Sequence, residues 1–183
     1  MAAIASWVQS LFSPGDAVPT LVGGAAVELY TGGAYRTGDL DFVGVLTAVV
    51  AQRMEDAGFE RHGRHWIHER HRLFSEFPDD ALARGDTVAT IRVGSTSVVV
   101  IGLEELIVDR LAAWQFWRSE IDGYSAWLLW SRGDHHPNVR RLRVLAERSE
   151  TSVALDSLVA FARTNARRKP TQTEIETWAR RIP

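Results

Sequence analysis

Two short stretches carry residue types whose spacing suits chemistry. Asp39-Leu40-Asp41 sits in an alternating run that ends at Val43, as a half-buried strand does. Residues i and i+2 of a strand share a face, so both carboxylates point the same way and repel unless a cation lies between them. Hard divalent ions suit such a pair, and Mg2+ typically takes one or two protein carboxylates together with phosphate oxygens. Upstream, Leu21-Val22 leads into Gly23-Gly24 and then into Ala25-Ala26, the pattern of a strand, a glycine turn and a helix start. Amides at such a turn can receive phosphate oxygens, because no side chain blocks the approach and the helix dipole favours anions. A phosphate cradle and a metal-binding pair are therefore expected on adjacent elements.

The surrounding segments supply the elements that position them. Ile4, Val8, Leu11 and Phe12 recur at helical spacing, and Ser13-Pro14-Gly15-Asp16 is the stop signal. A helix is expected from Ala25 to Tyr30 and another from Val45 to Ala57, the latter with Val49 and Met54 among its core contacts. From Phe59 to Ile101 the signals are those of strands: around Phe59 to Arg61, Trp66 to His68, His71 to Phe77, Thr87 to Val93 and Ser97 to Ile101. After Gly102 the pattern is helical, with segments beginning near Leu103, Tyr124, Val139, Val153 and Thr173. The expected fold is α+β: a mixed β-sheet flanked by helices over residues 1–102, then a helical bundle over residues 103–183.

The order of these motifs resembles the nucleotidyltransferase superfamily of DNA polymerase β type. Its signature is an apolar residue with Gly-Gly or Gly-Ser at a helix start, followed by an Asp-x-Asp strand; Val22-Gly23-Gly24 and Asp39-Leu40-Asp41 fill those places. Arg36-Thr37-Gly38 before the acidic strand is similar to the lead-in of minimal bacterial nucleotidyltransferases, including AbiEii-like toxins. Phe74-Ser75-Glu76-Phe77-Pro78 looks like the strand that carries a third acidic residue in some of these families, and the segment Glu104 to Leu111 like their first helix after the β region.

The resemblance implies transfer of a nucleoside monophosphate from an NTP to an acceptor hydroxyl, assisted by two metal ions, Mg2+ or Mn2+. Asp39, Asp41 and Glu76 would be the metal-binding and catalytic carboxylates. Gly23, Gly24, Arg36, Thr37 and Arg110 would contact the substrate. The acceptor would be tRNA or another RNA 3′ end, a protein or a small molecule, and a toxin of this type would also meet a cognate antitoxin protein. A non-catalytic binding module on the same fold is the alternative.

Simpler roles stand beside these. Glu60, Glu69 and Asp86 compete with Glu76 for the third position. Arg36 either contacts phosphate or pairs with Asp39 or Asp41, and Thr37 either donates to phosphate or satisfies local backbone. His62, His65, His68 and His71 recur every third residue, which alternates faces on an extended chain, so a solvated hairpin is expected and not a shared ion. Trp114, Trp117, Trp127 and Trp130 read as helical core or interface, with a base-stacking platform as the alternative.

Composition narrows the setting. The chain has 183 residues and no cysteine, which excludes disulfides, thiolate metal sites and a thiol nucleophile. No apolar run approaches the roughly 20 residues of a bilayer span, and Met1 to Phe12 lacks the features of a signal peptide. A cytoplasmic protein with no membrane partner is expected. The net charge of −2 hides an uneven division: residues 1–138 hold 11 Arg against 18 acids, whereas residues 139–183 hold 9 Arg and Lys169 against 5 acids. That basic part is either a solvated surface or a surface for a polyanion such as tRNA.

Overall fold

A computed structural model describes residues 1–12, 17–131 and 136–182. The stop signal at residues 13–16 lies outside the described residues. The chain divides into two compact units, Met1–Gly102 and Leu103–Pro183.

In the first unit, α1 (Ala2–Ser10) precedes β1 (Thr20–Val22), α2 (Gly23–Tyr30), β2 (Asp39–Val43) and α3 (Ala48–Asp56). Five strands follow: β3 (Glu60–His62), β4 (His65–His68), β5 (Leu73–Asp79), β6 (Val88–Val93) and β7 (Thr96–Ile101). They form one mixed sheet in the order β3-β4-β5-β2-β1-β7-β6. β2 lies between β1, antiparallel to it, and β5, parallel to it. Alternation decides the faces. Leu40 and Phe42 of β2 are fully buried, as are Leu21 of β1 and Val98 and Val100 of β7. Asp39 and Asp41 take the opposite face.

The buried face is closed by α1 and its aromatic neighbours. Trp7 packs on Phe59 and His68, and Phe12 on Phe77, which stacks on Phe42. Gln9 ties α1 to the sheet: its Nε2 donates to the carbonyls of Pro19 and Val99, and its Oε1 accepts from the Val99 amide. Two expectations are corrected here. The helix expected from Val45 begins only at Ala48, because the Thr47 hydroxyl caps it by accepting from the Val50 amide. That phase buries Val50 and Met54, four residues apart, and leaves Val49 59% exposed. The histidine repeat is not a wholly solvated hairpin either: His68 is buried against Trp7 and Phe59, while His65 faces the other side.

The second unit holds α4 (Leu103–Phe116), α5 (Glu120–Ser131), α6 (Val139–Arg148), α7 (Ser152–Thr164) and α8 (Gln172–Ala179). Aromatic side chains fill its centre. Trp114 packs on Trp178, which stacks on Phe161, and Trp127 meets Phe161 edge-on. The indole N–H groups are satisfied, that of Trp114 by the Ala179 carbonyl at 2.6 Å and that of Trp178 by the Ser157 hydroxyl at 3.1 Å. The buried carboxylate of Glu105 pairs with Arg141 across α4 and α6. Gly123 lets α5 approach Trp114: a Cβ there would lie 2.8 Å from both Cδ1 and Nε1 of the indole. Gly123→Ala is therefore expected to lower stability by about 1–3 kcal/mol through overpacking, read as a fall in the denaturant midpoint.

The last helix begins with a reciprocal cap. The Thr171 hydroxyl accepts from the Glu174 amide while the Glu174 carboxylate accepts from the Thr171 amide. Arg168 also grips this carboxylate, and that hydrogen bond, followed by the one from the Thr171 backbone, holds the Glu174 carboxyl down to about 2. A carboxyl depressed in the folded state contributes stability above its unfolded value of about 4.3 and loses it as pH falls toward the folded one. Acidification from about pH 5 to 2 is therefore expected to lower the amide protection factors in the first turn of α8, measured against the intrinsic exchange rate at each pH. Glu174→Gln should give the lowered protection factors at neutral pH and remove their dependence on pH.

Candidate active site

The site is built where β1 turns into α2. Val22 is extended, and Gly23 takes φ +62°, a left-handed conformation that side-chain-bearing residues adopt at a cost. The pairing of β1 with β2 puts Asp41 opposite Val22, at the mouth of this turn. The approach is so close that a Cβ on Gly23 would lie 2.3 Å from Oδ2 of Asp41. The first glycine thus makes room for the carboxylate of Asp41. Gly24 makes room for the lead-in to the strand: a Cβ there would meet the Thr37 hydroxyl oxygen at 3.2 Å.

That lead-in is ordered locally. The Thr37 amide donates to the Glu28 carboxylate of α2 at 3.2 Å, and the Thr37 hydroxyl accepts from the Asp39 amide at 3.4 Å. Of the two roles open to Thr37, the structure displays the backbone-satisfying one. Arg36 is exposed and makes no ion pair among the described residues.

On the other side of β2, Asp39 pairs in register with Phe74 and Asp41 with Glu76. β5 in turn sets Glu76 opposite His65 of β4. Val22, Asp41, Glu76 and His65 therefore form one row across four strands. After Glu76 the register slips, since Val43 pairs with Asp79, so β5 accommodates an extra residue; Pro78, which has no amide to donate, falls within that bulge. A cavity of about 200 Å3 opens on this face, lined by Asp39, Asp41, His65, Phe74, Ser75 and Glu76. Oε2 of Glu76 lies 3.0 Å from His65 Nδ1 and 3.3 Å from Arg64 Nε.

Among the described residues, no three His, Asp or Glu side chains form a group that could hold one ion. The donor chemistry nevertheless fits Mg2+ at Asp39 and Asp41. These are hard carboxylate oxygens from one strand face in one cavity, and Mg2+ asks for one or two such ligands and takes its remaining positions from water and phosphate.

No family model matches the chain, and no curated protein matches it. Its structure is similar to the crystal structure of an antigenic nucleotidyltransferase-like protein from Paracoccidioides brasiliensis, with a TM-score of 0.50 and 13% identity over 99% of this chain and 92% of that one. The fold is nucleotidyltransferase-like. At 13% identity the likeness is one of fold, so the roles of individual residues rest on their own geometry.

Within this nucleotidyltransferase-like fold, Gly23, Gly24, Thr37, Asp39, Asp41 and Glu76 come together in the first unit. Arg110 lies on α4 in the second unit, with its guanidinium between Asp122 at 2.7 Å and Asp109 at 2.5 Å. Arg64 and His65 were missed as site residues. The Gly63 turn, which is legible, folds β4 onto β3 and pairs His65 with His62. What the sequence does not contain is the register that sets His65 opposite Glu76. No described helix is long and apolar enough to cross a membrane.

Proposed function

We propose that this protein is a metal-dependent nucleotidyltransferase that moves a nucleoside monophosphate from an NTP to an acceptor hydroxyl. The observation that carries this reading is the placement of the Asp41 carboxylate directly against Gly23 at the start of α2, with Asp39 on the same strand face. It puts a carboxylate pair for Mg2+ beside backbone amides suited to the phosphates of the same Mg–NTP.

In this reading the α2 N-terminus and the Gly23-Gly24 amides orient the triphosphate, and Asp39 and Asp41 hold Mg2+. The ion, when bound, neutralises charge on the triphosphate and on the attacking and departing oxygens. The acceptor oxygen forms its bond to the α-phosphorus as the bond to the bridging oxygen breaks, and pyrophosphate leaves. Glu76 takes the hydroxyl proton. Arg64 and His65 both contact its Oε2, while Oε1 makes no hydrogen bond or ion pair among the described residues and keeps an acceptor position. Arg36, exposed beside Thr37, is suited to the outer phosphates.

The test is incubation with each labelled NTP, Mg2+ and, in turn, total RNA, cell lysate and small hydroxyl acceptors. Label entering an acceptor, and its loss with a chelator, is the expected result. A second reading has its own support: Arg64 and His65 already occupy one oxygen of Glu76, as they would in a module that binds nucleotide without transferring it. Mg–NTP binding without label in any acceptor would favour that module.

A further inference from the structure

A second cavity lies within the helical unit. A groove of about 550 Å3 runs between the end of α5 and the segment joining α7 to α8, lined by Trp127, Trp130, Asn165, Arg167, Arg168 and Lys169 among others. Trp130 is half-buried and lines this groove. Arg168 is engaged by Glu174, but Arg167 and Lys169 are exposed and make no ion pair among the described residues. From Arg163 to Lys169 there are four cations and no acid, and Lys169 is the only lysine in the chain.

We infer that this groove binds single-stranded nucleic acid, with a base stacked on Trp130 and adjacent phosphates at Arg167 and Lys169. The pairing of a flat indole with cations that make no ion pair among the described residues is what recognises it. Each base offers a face to stack on, each nucleotide adds one phosphate, and such stacking makes few sequence demands. A duplex keeps its base faces covered by their neighbours and would meet only the cations. A groove of this volume has room for a nucleotide-sized group. The inference does not depend on the transfer reaction proposed above, and its test reads binding alone.

The experiment uses the full chain and a fluorescein-labelled single-stranded RNA of about ten nucleotides, titrated by anisotropy between about 50 and 200 mM salt. Binding that weakens with salt is expected. Trp130→Ala should weaken it about tenfold or more. Arg167→Gln with Lys169→Gln, both at exposed positions and so harmless to the fold, should reduce the salt slope by about 1.4, the share of two phosphates on a single strand. A duplex of the same sequence should bind more weakly than the single strand. The inference is overturned by absence of RNA binding, by binding that neither substitution alters, or by equal binding of duplex and single strand with Trp130→Ala unchanged, which would describe a polyanion surface only.

Discussion

Asp41→Asn is expected to reduce nucleotide transfer by more than about a hundredfold and to leave thermal stability close to that of the unsubstituted protein. Loss of a partner one shell removed from a metal costs about 10–100-fold, and Asp41 is proposed as a direct ligand, so its removal should exceed that range. The amide keeps the shape of the carboxylate, and with it the close fit over Gly23. It also removes one of two like charges that β2 sets on one face, which offsets what is lost from the contacts of the native side chain. The measurement is label incorporation alongside a melting curve in metal-free buffer. A variant that transfers label at the original rate would remove Asp41 from the chemistry, and one that unfolds would show that the carboxylate is needed for the fold.

Gly23→Ala is expected to damage both stability and activity. The left-handed backbone alone costs about 1–2 kcal/mol with a Cβ, and here the added atom would lie 2.3 Å from Oδ2 of Asp41. Either that carboxylate or the β1–α2 turn must shift, so the phosphate cradle and the metal ligand are disturbed together. Gly33 also has positive φ, but an added Cβ meets nothing within 4 Å. Gly33→Ala therefore carries the backbone cost without the collision and serves as the control. A larger melting loss at position 23 than at position 33, with loss of Mg–NTP binding only at position 23, is the expected pattern.

The acidic pair and the glycine turn were legible because their logic is local. Two carboxylates two residues apart on a strand share a face wherever that strand goes, and a glycine pair between strand and helix is tied to a tight turn. The depth of the contact between Gly23 and Asp41 was not legible, since it comes from the antiparallel register of β1 and β2. Glu76 could be picked out by the strand around it, but its neighbours Arg64 and His65 follow from the strand order β4-β5-β2, which no local pattern encodes.

Side chains that depend on helix phase or packing were read less well. Thr47 starts α3 late and so exchanges the roles of Val49 and Val50. Among the tryptophans, Trp114 and Trp127 are core, Trp130 lines a groove, and Trp117 is 82% exposed. Spacing alone could not sort them, because the inward side of α4 and α5 is set by Phe161 and Trp178 arriving from α7 and α8. Arg110 pairs with its adjacent residue Asp109 and with the more distant Asp122, and the second of these pairs depends on the packing of α4 against α5.

The central claim, that Asp39 and Asp41 hold a divalent cation together with an NTP at the Gly23-Gly24 turn, is tested most directly by calorimetric titration of NTP into the protein with and without Mg2+. Saturable heat that requires Mg2+, and that disappears when Asp39 and Asp41 are both changed to Asn, is the expected result. NTP binding of equal strength without Mg2+, or unchanged in that double variant, would contradict it.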